Sequence, residues 1–238
     1  MILYKFRAFE DREYTLDILR NERLYCSNYR DLNDPFEGMF MAHEVEVDTD
    51  RDSASWVHNS YSLEHYLGSS ERPPRVCSLS ANPFEIMMWG LYANSSKGIA
   101  IEFDIPDDHI PAPKKVHYSE EYPYHRDEWY DNEGNLVEVA LDTNEVLTHK
   151  TTRWEYEAEY RILQENEYFD ASGMISRVIL GPKADAEIET SVERDLPESA
   201  EIEYADFDFN FEIARFEPHP SYENYHDHWP CDEEDFYG

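Results

Sequence analysis

Ile2-Leu3-Tyr4-Lys5-Phe6-Arg7-Ala8 opens the chain with a period of two, placing Leu3, Lys5 and Arg7 on one face of a strand. Tyr14–Asn21 carries apolar residues at helical spacing (Tyr14, Ile18, Leu19) and reads as a short helix; Leu24–Ser27 reads as a second strand. Asn33-Asp34-Pro35 is a turn signal, since Asn and Asp bond back to their own backbone and Pro fixes φ. Beyond it the pattern predicts strands at Met39–Val47, Arg75–Ala81, Lys97–Asp104, Val116–Tyr118, Tyr160–Leu163, Ile175–Gly181 and within Glu201–Phe216. Helices are predicted over Ser53–Leu67 (Trp56, Tyr61 and Tyr66 inward), Leu136–Lys150 and Ala184–Leu196. Another is predicted from an Asn82 N-cap, with Pro83 at its first position and Glu85 completing a capping box, to about Asn94. The sum is one α+β domain over residues 1–216, a mixed and mostly antiparallel sheet with several short helices. Residues 217–238 form an acidic, His- and aromatic-rich tail that reads as mobile or surface-wrapping.

The 238 residues carry 20 Lys+Arg against 53 Asp+Glu, a net charge of -33. So negative a surface repels phosphate backbones and anionic lipid heads, which argues against broad electrostatic nucleic-acid or membrane binding. With 41% hydrophobic residues the chain has the means to build a core, and global disorder is not expected. The cations are 14 Arg and only 6 Lys. Acid excess with scarce lysine fits a halophilic cytosol, where a Debye length of about 3 Å in molar salt relieves self-repulsion; nucleic-acid mimicry is the alternative. Residues 1–30 break the trend with Lys5, Arg7, Arg12, Arg20, Arg23 and Arg30 against five acids. That island either faces an anionic ligand or pairs with acids elsewhere.

Three widely spaced cysteines (Cys26, Cys77, Cys231) fit neither a disulfide framework nor a C-x-x-C site, and Cys77 reads as a small buried hydrophobe. The longest apolar stretch, Ile86–Ala93, is too short to span a bilayer, and the start of the chain lacks a signal peptide's apolar core; the expectation is a cytoplasmic protein. No glycine-rich phosphate loop, H-E-x-x-H, G-x-S-x-G or paired-cysteine deaminase pattern occurs. His219, His226, His228 and Cys231 are competent ligands, yet their spacing matches no structural zinc site, and no metal is assigned.

Four local patterns stand out: Leu3-Tyr4-Lys5-Phe6-Arg7, Asn33-Asp34-Pro35-Phe36-Glu37, Met88-Trp89-Gly90-Leu91-Tyr92-Ala93 with Gly98-Ile99 after it, and Trp154-Glu155-Tyr156-Glu157-Ala158-Glu159-Tyr160-Arg161. In order and wording they resemble the prokaryotic family known as domain of unknown function 2971, over residues 1–181. A looser resemblance is to ADP-ribosyltransferases of the arginine-serine-glutamate class, through Arg7 on the first strand, Ser27 ending the second and Glu157-x-Glu159 late in the chain. Here Cys26-Ser27-Asn28 stands where that class has a serine-threonine-serine run.

That second resemblance implies NAD as co-substrate, with no covalently bound cofactor, and a toxin or phage-defence effector. It casts Glu159 as catalytic carboxylate, Glu157 as the acid that orients the acceptor, Arg7 as phosphate or ribose clamp, and Ser27 and Tyr4 as ribose-side partners. Asn33, Asp34, Trp89, Tyr92 and Arg161 would form the rim. On one strand Glu157 and Glu159 would share a face. Structural readings stay open beside these: Arg7 could pair with Glu157 or Glu159, Arg161 with Asp34 or Glu37, and Trp89 and Tyr92 could be core. The alternative function is a non-enzymatic acidic protein that occupies a basic partner through its tail and the Ala184–Leu196 helix.

Overall fold

The structure is a computed structural model describing residues 1–10, 12–48, 53–67, 73–125, 128–130, 136–138, 141–207 and 213–218. Its frame is an eight-stranded sheet in the order Ile213–Pro218, Glu201–Phe207, Ile175–Leu180, Ile99–Asp104, Ile2–Arg7, Arg75–Ser80, Glu159–Gln164, Lys114–Lys115. Every pairing is antiparallel except that of Ile175–Leu180 with Glu201–Phe207. The expected α+β class, with a mixed and mostly antiparallel sheet, is the fold observed.

The first strand works as its alternation predicts. Leu3 joins the core under helices Arg12–Asn21 and Ala186–Asp195, where Leu16, Leu19, Ile188 and Val192 are buried. Tyr4 and Phe6 go to the opposite face and pack on Met88 and Trp89 of helix Ile86–Tyr92. Tyr14, expected inward, is 72% exposed; Thr15, Leu16, Ile18 and Leu19 form the buried stripe of its helix.

The sheet splits in the middle. Ile2–Arg7 pairs along its whole length with Ile99–Asp104, and Arg75–Ser80 pairs along its whole length with Glu159–Gln164. Between these halves the ladder holds one register pair, Tyr4 opposite Ser80. Beyond it the strands part, and the Lys5 ammonium donates to the Ser78 carbonyl at 2.9 Å, satisfying an acceptor the ladder leaves open. Further along, Ser27 bridges to Val76. Gly98 secures the far side: a Cβ there would meet the Arg7 carbonyl oxygen at 2.1 Å, so only glycine lets the 93–98 turn approach the first strand this closely.

Three helix expectations need correction. Ser53–Ser62 is a strand in ten-residue antiparallel register with Met39–Asp48, and only Leu63–Leu67 is helical. Its Ser and Asn residues compete with helical backbone bonds, and a strand partner of matching length stands beside it. Tyr61 packs on Phe40, ring centroids 6.0 Å apart, while the side chains of Trp56 and Tyr66 lie outside the described set. Leu136–Lys150 breaks into strand Leu136–Glu138, helix Thr143–Val146 and strand His149–Lys150, because the Asp142 carboxylate caps a fresh helix start by accepting from Asn144 N and Glu145 N. Asn82 caps a turn, accepting from Phe84 N, and the helix begins only at Ile86 behind a Glu85 N-cap.

The last described strand is Ile213–Pro218, and residues 219–238, with the histidines and Cys231 of the tail, lie outside the described set. Among the described residues no helix is long and apolar enough to cross a membrane.

Candidate functional site

The split in the sheet holds a cavity of about 260 Å³. Tyr4, Lys5 and Arg7 line it from the first strand, Ser27 and Val76 from the bridge, Ser78 and Ser80 from the strand opposite. Asp31 and Asn33 are exposed at its edge, and Met88 and Tyr92 border it from helix Ile86–Tyr92. Its charged wall is Lys150, Glu157, Glu159 and Arg161.

Glu157 and Glu159 do not share a strand as expected. Glu157 ends the 3-10 helix Thr152–Glu157, Ala158 turns left-handed at φ 44 and ψ 47, and Glu159 begins its strand. Ser80 Oγ fixes this corner by donating to the Glu157 carbonyl at 2.7 Å. The turn still brings both carboxylates to one cation. Lys150 Nζ lies 2.5 Å from Glu157 Oε2 and 3.1 Å from Glu159 Oε2. Lys150 itself sits 4.7 Å from the centre of the Trp154 ring.

Arg161 locks the second carboxylate. Its Nε donates to Glu159 Oε1 at 2.8 Å and its Nη2 to Glu159 Oε2 at 3.1 Å, a bidentate grip. The same guanidinium reaches Glu37 and donates to the Leu147 carbonyl at 2.7 Å, all while fully buried. Of the two partners weighed for Arg161, Glu37 is the one found.

The two carboxylates therefore differ. Burial opposes charge on Glu159, but Arg161 and Lys150 outweigh it and hold the carboxyl down at about 2. Glu157 is raised above the ordinary carboxylate range, chiefly by burial, against the pull of Lys150. Tyr92 Oη donates to Glu157 Oε1 at 2.5 Å and accepts from Asn33 Nδ2 at 3.0 Å, so a relay runs from the exposed edge to Glu157. Burial and the Glu157 carboxylate raise the Tyr92 phenol, which keeps it a donor.

A second cavity of about 490 Å³ adjoins the first, and Lys5, Arg7 and Ser27 line both. Its other walls include Tyr14, Tyr25, Tyr168 and Arg23. Tyr25 and Tyr168 meet edge to face at 5.7 Å, with the Arg23 guanidinium 4.0 Å above the Tyr168 ring. The basic island thus divides. Arg12, Arg20, Arg23 and Arg30 pair with Glu187, Asp195, Asp17 and Glu64, and Lys5 and Arg7 line both cavities.

Of the residues chosen from sequence, Tyr4, Arg7, Ser27, Asn33, Tyr92, Glu157, Glu159 and Arg161 meet in the first cavity. Asp34 and Trp89 do not line it. Asp34 is buried and caps its own turn, accepting from Phe36 N at 2.9 Å. Trp89 is fully buried against Phe6 and donates Nε1–H to the Pro83 carbonyl at 2.8 Å. Lys150 is the residue the sequence reading missed; Lys5, placed there on the face of Arg7, was not assigned to the site.

Fold and site together define an α+β protein whose sheet opens around an ion-paired carboxylate couple. One segment, residues 88–162, matches the model of the family described as "Protein of unknown function (DUF2971)". It includes Tyr92, Lys150, Glu157, Glu159 and Arg161, while Tyr4, Arg7, Ser27 and Asn33 precede it. No curated protein and no solved structure matches the chain.

Proposed function

We propose that the cleft binds NAD and transfers its ADP-ribose, an ADP-ribosyltransferase-type reaction carried out in the cytoplasm. The observation that carries this reading is the place of Lys5 and Arg7: on the wall common to two cavities, one of which holds the Glu157–Glu159 pair. A ligand with an anionic centre and two uncharged wings suits that arrangement, and a dinucleotide has that form. Arg7 takes the pyrophosphate as a planar fork matched to phosphate oxygens. The Tyr25–Tyr168 side offers rings to a base, and Ser27 and Tyr4 offer hydroxyls to ribose.

Nicotinamide leaves with the electron pair of its bond to ribose, and the ribose carbon gains oxocarbenium character. Glu159, ionised at any physiological pH, supplies fixed negative charge there. Glu157, raised and reached by the Tyr92 relay, takes the proton of the acceptor as its bond to ribose forms. The setting as a toxin or phage-defence effector rests on the resemblance of the motifs alone. Incubation with NAD labelled in both halves tests the reading. It expects free nicotinamide and a labelled acceptor from the native chain, and neither from Glu159→Gln; absence of both products from the native chain removes it.

A further inference from the structure

Cys26 and Cys77 take no part in the chemistry above, yet the fold holds them face to face. Ser27 and Val76 exchange both backbone hydrogen bonds, at 2.9 and 2.8 Å. The next pair along this antiparallel bridge is Cys26 with Cys77, at a position without backbone bonds of its own. Such pairs keep their Cα atoms about 4.5 Å apart, inside the roughly 4.4–6.8 Å that a disulfide spans. Both residues are free thiols, both are fully buried, and both belong to the same core cluster.

The chemistry around them is asymmetric. Cys26 Sγ donates to the Leu24 carbonyl at 3.8 Å, and Gln164 Nε2 donates to Cys26 Sγ at 3.2 Å. Lys5 stands near both sulfurs, its ammonium disfavoured by burial and favoured by their negative charge. Cys77 lowers the Cys26 thiol, with help from Gln164 and Lys5 against burial, whereas Cys77 is itself pushed up by Cys26 and by burial. Cys26, which accepts from Gln164, is the better placed of the two to act as the attacking sulfur. Their immediate neighbours Ser27, Val76 and Ser78 line the first cavity.

We propose that Cys26 and Cys77 form a reversible dithiol–disulfide site, oxidised by a small peroxide entering through the split in the sheet. The Cys26 thiolate attacks one peroxide oxygen and the O–O bond breaks; the departing hydroxide takes a proton and leaves as water, and Cys26 becomes a sulfenic acid. The Cys77 sulfur then displaces the sulfenic hydroxyl, which leaves as a second water with the Cys77 proton. Two thiols are oxidised and one peroxide is reduced to two waters. A thiol reductant reverses the product by exchange. Oxidation takes both thiols away from Lys5 and ties the bridge strand to Arg75–Ser80 at the cavity wall.

The test uses the full chain with Cys231→Ser, so that only these two thiols remain. The protein is treated with hydrogen peroxide while folded, then denatured, alkylated and read by mass spectrometry, before and after dithiothreitol. The expected result is a loss of at least tenfold in alkylation at both positions, a peptide joining Cys26 to Cys77, and recovery on reduction. Two thiols that stay alkylatable, or oxidation of either cysteine without the joined peptide, overturns the proposal. The readout needs no NAD chemistry, so it stands or falls apart from the proposed transferase activity.

Discussion

Glu157 and Glu159 reach the same ammonium, that of Lys150, from two different elements across a left-handed alanine. The couple is therefore a corner rather than a strand face, and each carboxylate keeps its own environment.

Removing Lys150 leaves two buried carboxylates short of a cation. Lys150→Met should lower stability by about 3–5 kcal/mol, the usual cost of breaking a buried pair by deleting one partner. Denaturant unfolding in molar salt measures it, with the surface variant Lys114→Met, at an exposed position, as a near-neutral control.

Arg161→Lys should cost a similar amount, although it conserves charge. A lysine cannot hold Glu159 in a bidentate grip and also reach Glu37 and the Leu147 carbonyl. Loss of stability within about 0.5 kcal/mol, the range of surface substitutions, would contradict the anchoring role.

Stability should fall on the acid side through Glu159. Its folded value, about 2, lies below its unfolded value, so the stabilisation is complete above the unfolded carboxyl range near 4.5 and is lost as pH falls towards 2. Glu157 has the opposite sign: its folded value is raised, so it favours the fold most when protonated and loses that advantage as pH rises through the folded value. Glu159→Gln should flatten the acid limb of a stability–pH curve, which Glu157→Gln should leave in place.

Two glycines should respond in opposite directions. Gly98→Ala drives a Cβ into the Arg7 carbonyl and should destabilise by about 1–3 kcal/mol. Gly90 lies within helix Ile86–Tyr92 with open space around it, so Gly90→Ala should stabilise by about 0.5–1 kcal/mol. Melting temperatures of the two variants check the pair directly.

Much of the site was legible because short motifs carry both its strands and its side chains. The alternation of Ile2–Ala8 put Leu3, Lys5 and Arg7 on one face of the strand, and the structure buries Leu3 in one core and Tyr4 and Phe6 in the other. What sequence could not supply was long-range. The Ser53–Ser62 strand depends on a partner hairpin arm, and the parting of Ile2–Arg7 from Arg75–Ser80 depends on register across the sheet. Lys150 was hidden at the end of a supposed helix, because the Asp142 N-cap starts a short helix within a longer apolar pattern. The charge of -33 reads the same from either side, but within the basic island Lys5 and Arg7 are the members that line both cavities.

The central claim is that the split sheet is an NAD-cleaving site built on Arg7 and the two carboxylates. The most direct measurement is nicotinamide release from NAD in molar salt by the native chain, Arg7→Ala, Glu157→Gln and Glu159→Gln, each first shown to be folded. The account predicts release by the native chain, a fall of at least about 100-fold in Glu157→Gln and Glu159→Gln, as for loss of a positioned acid–base or electrostatic group, and weakened NAD binding in Arg7→Ala. No release by the folded native chain, or equal release by all four proteins, would contradict it.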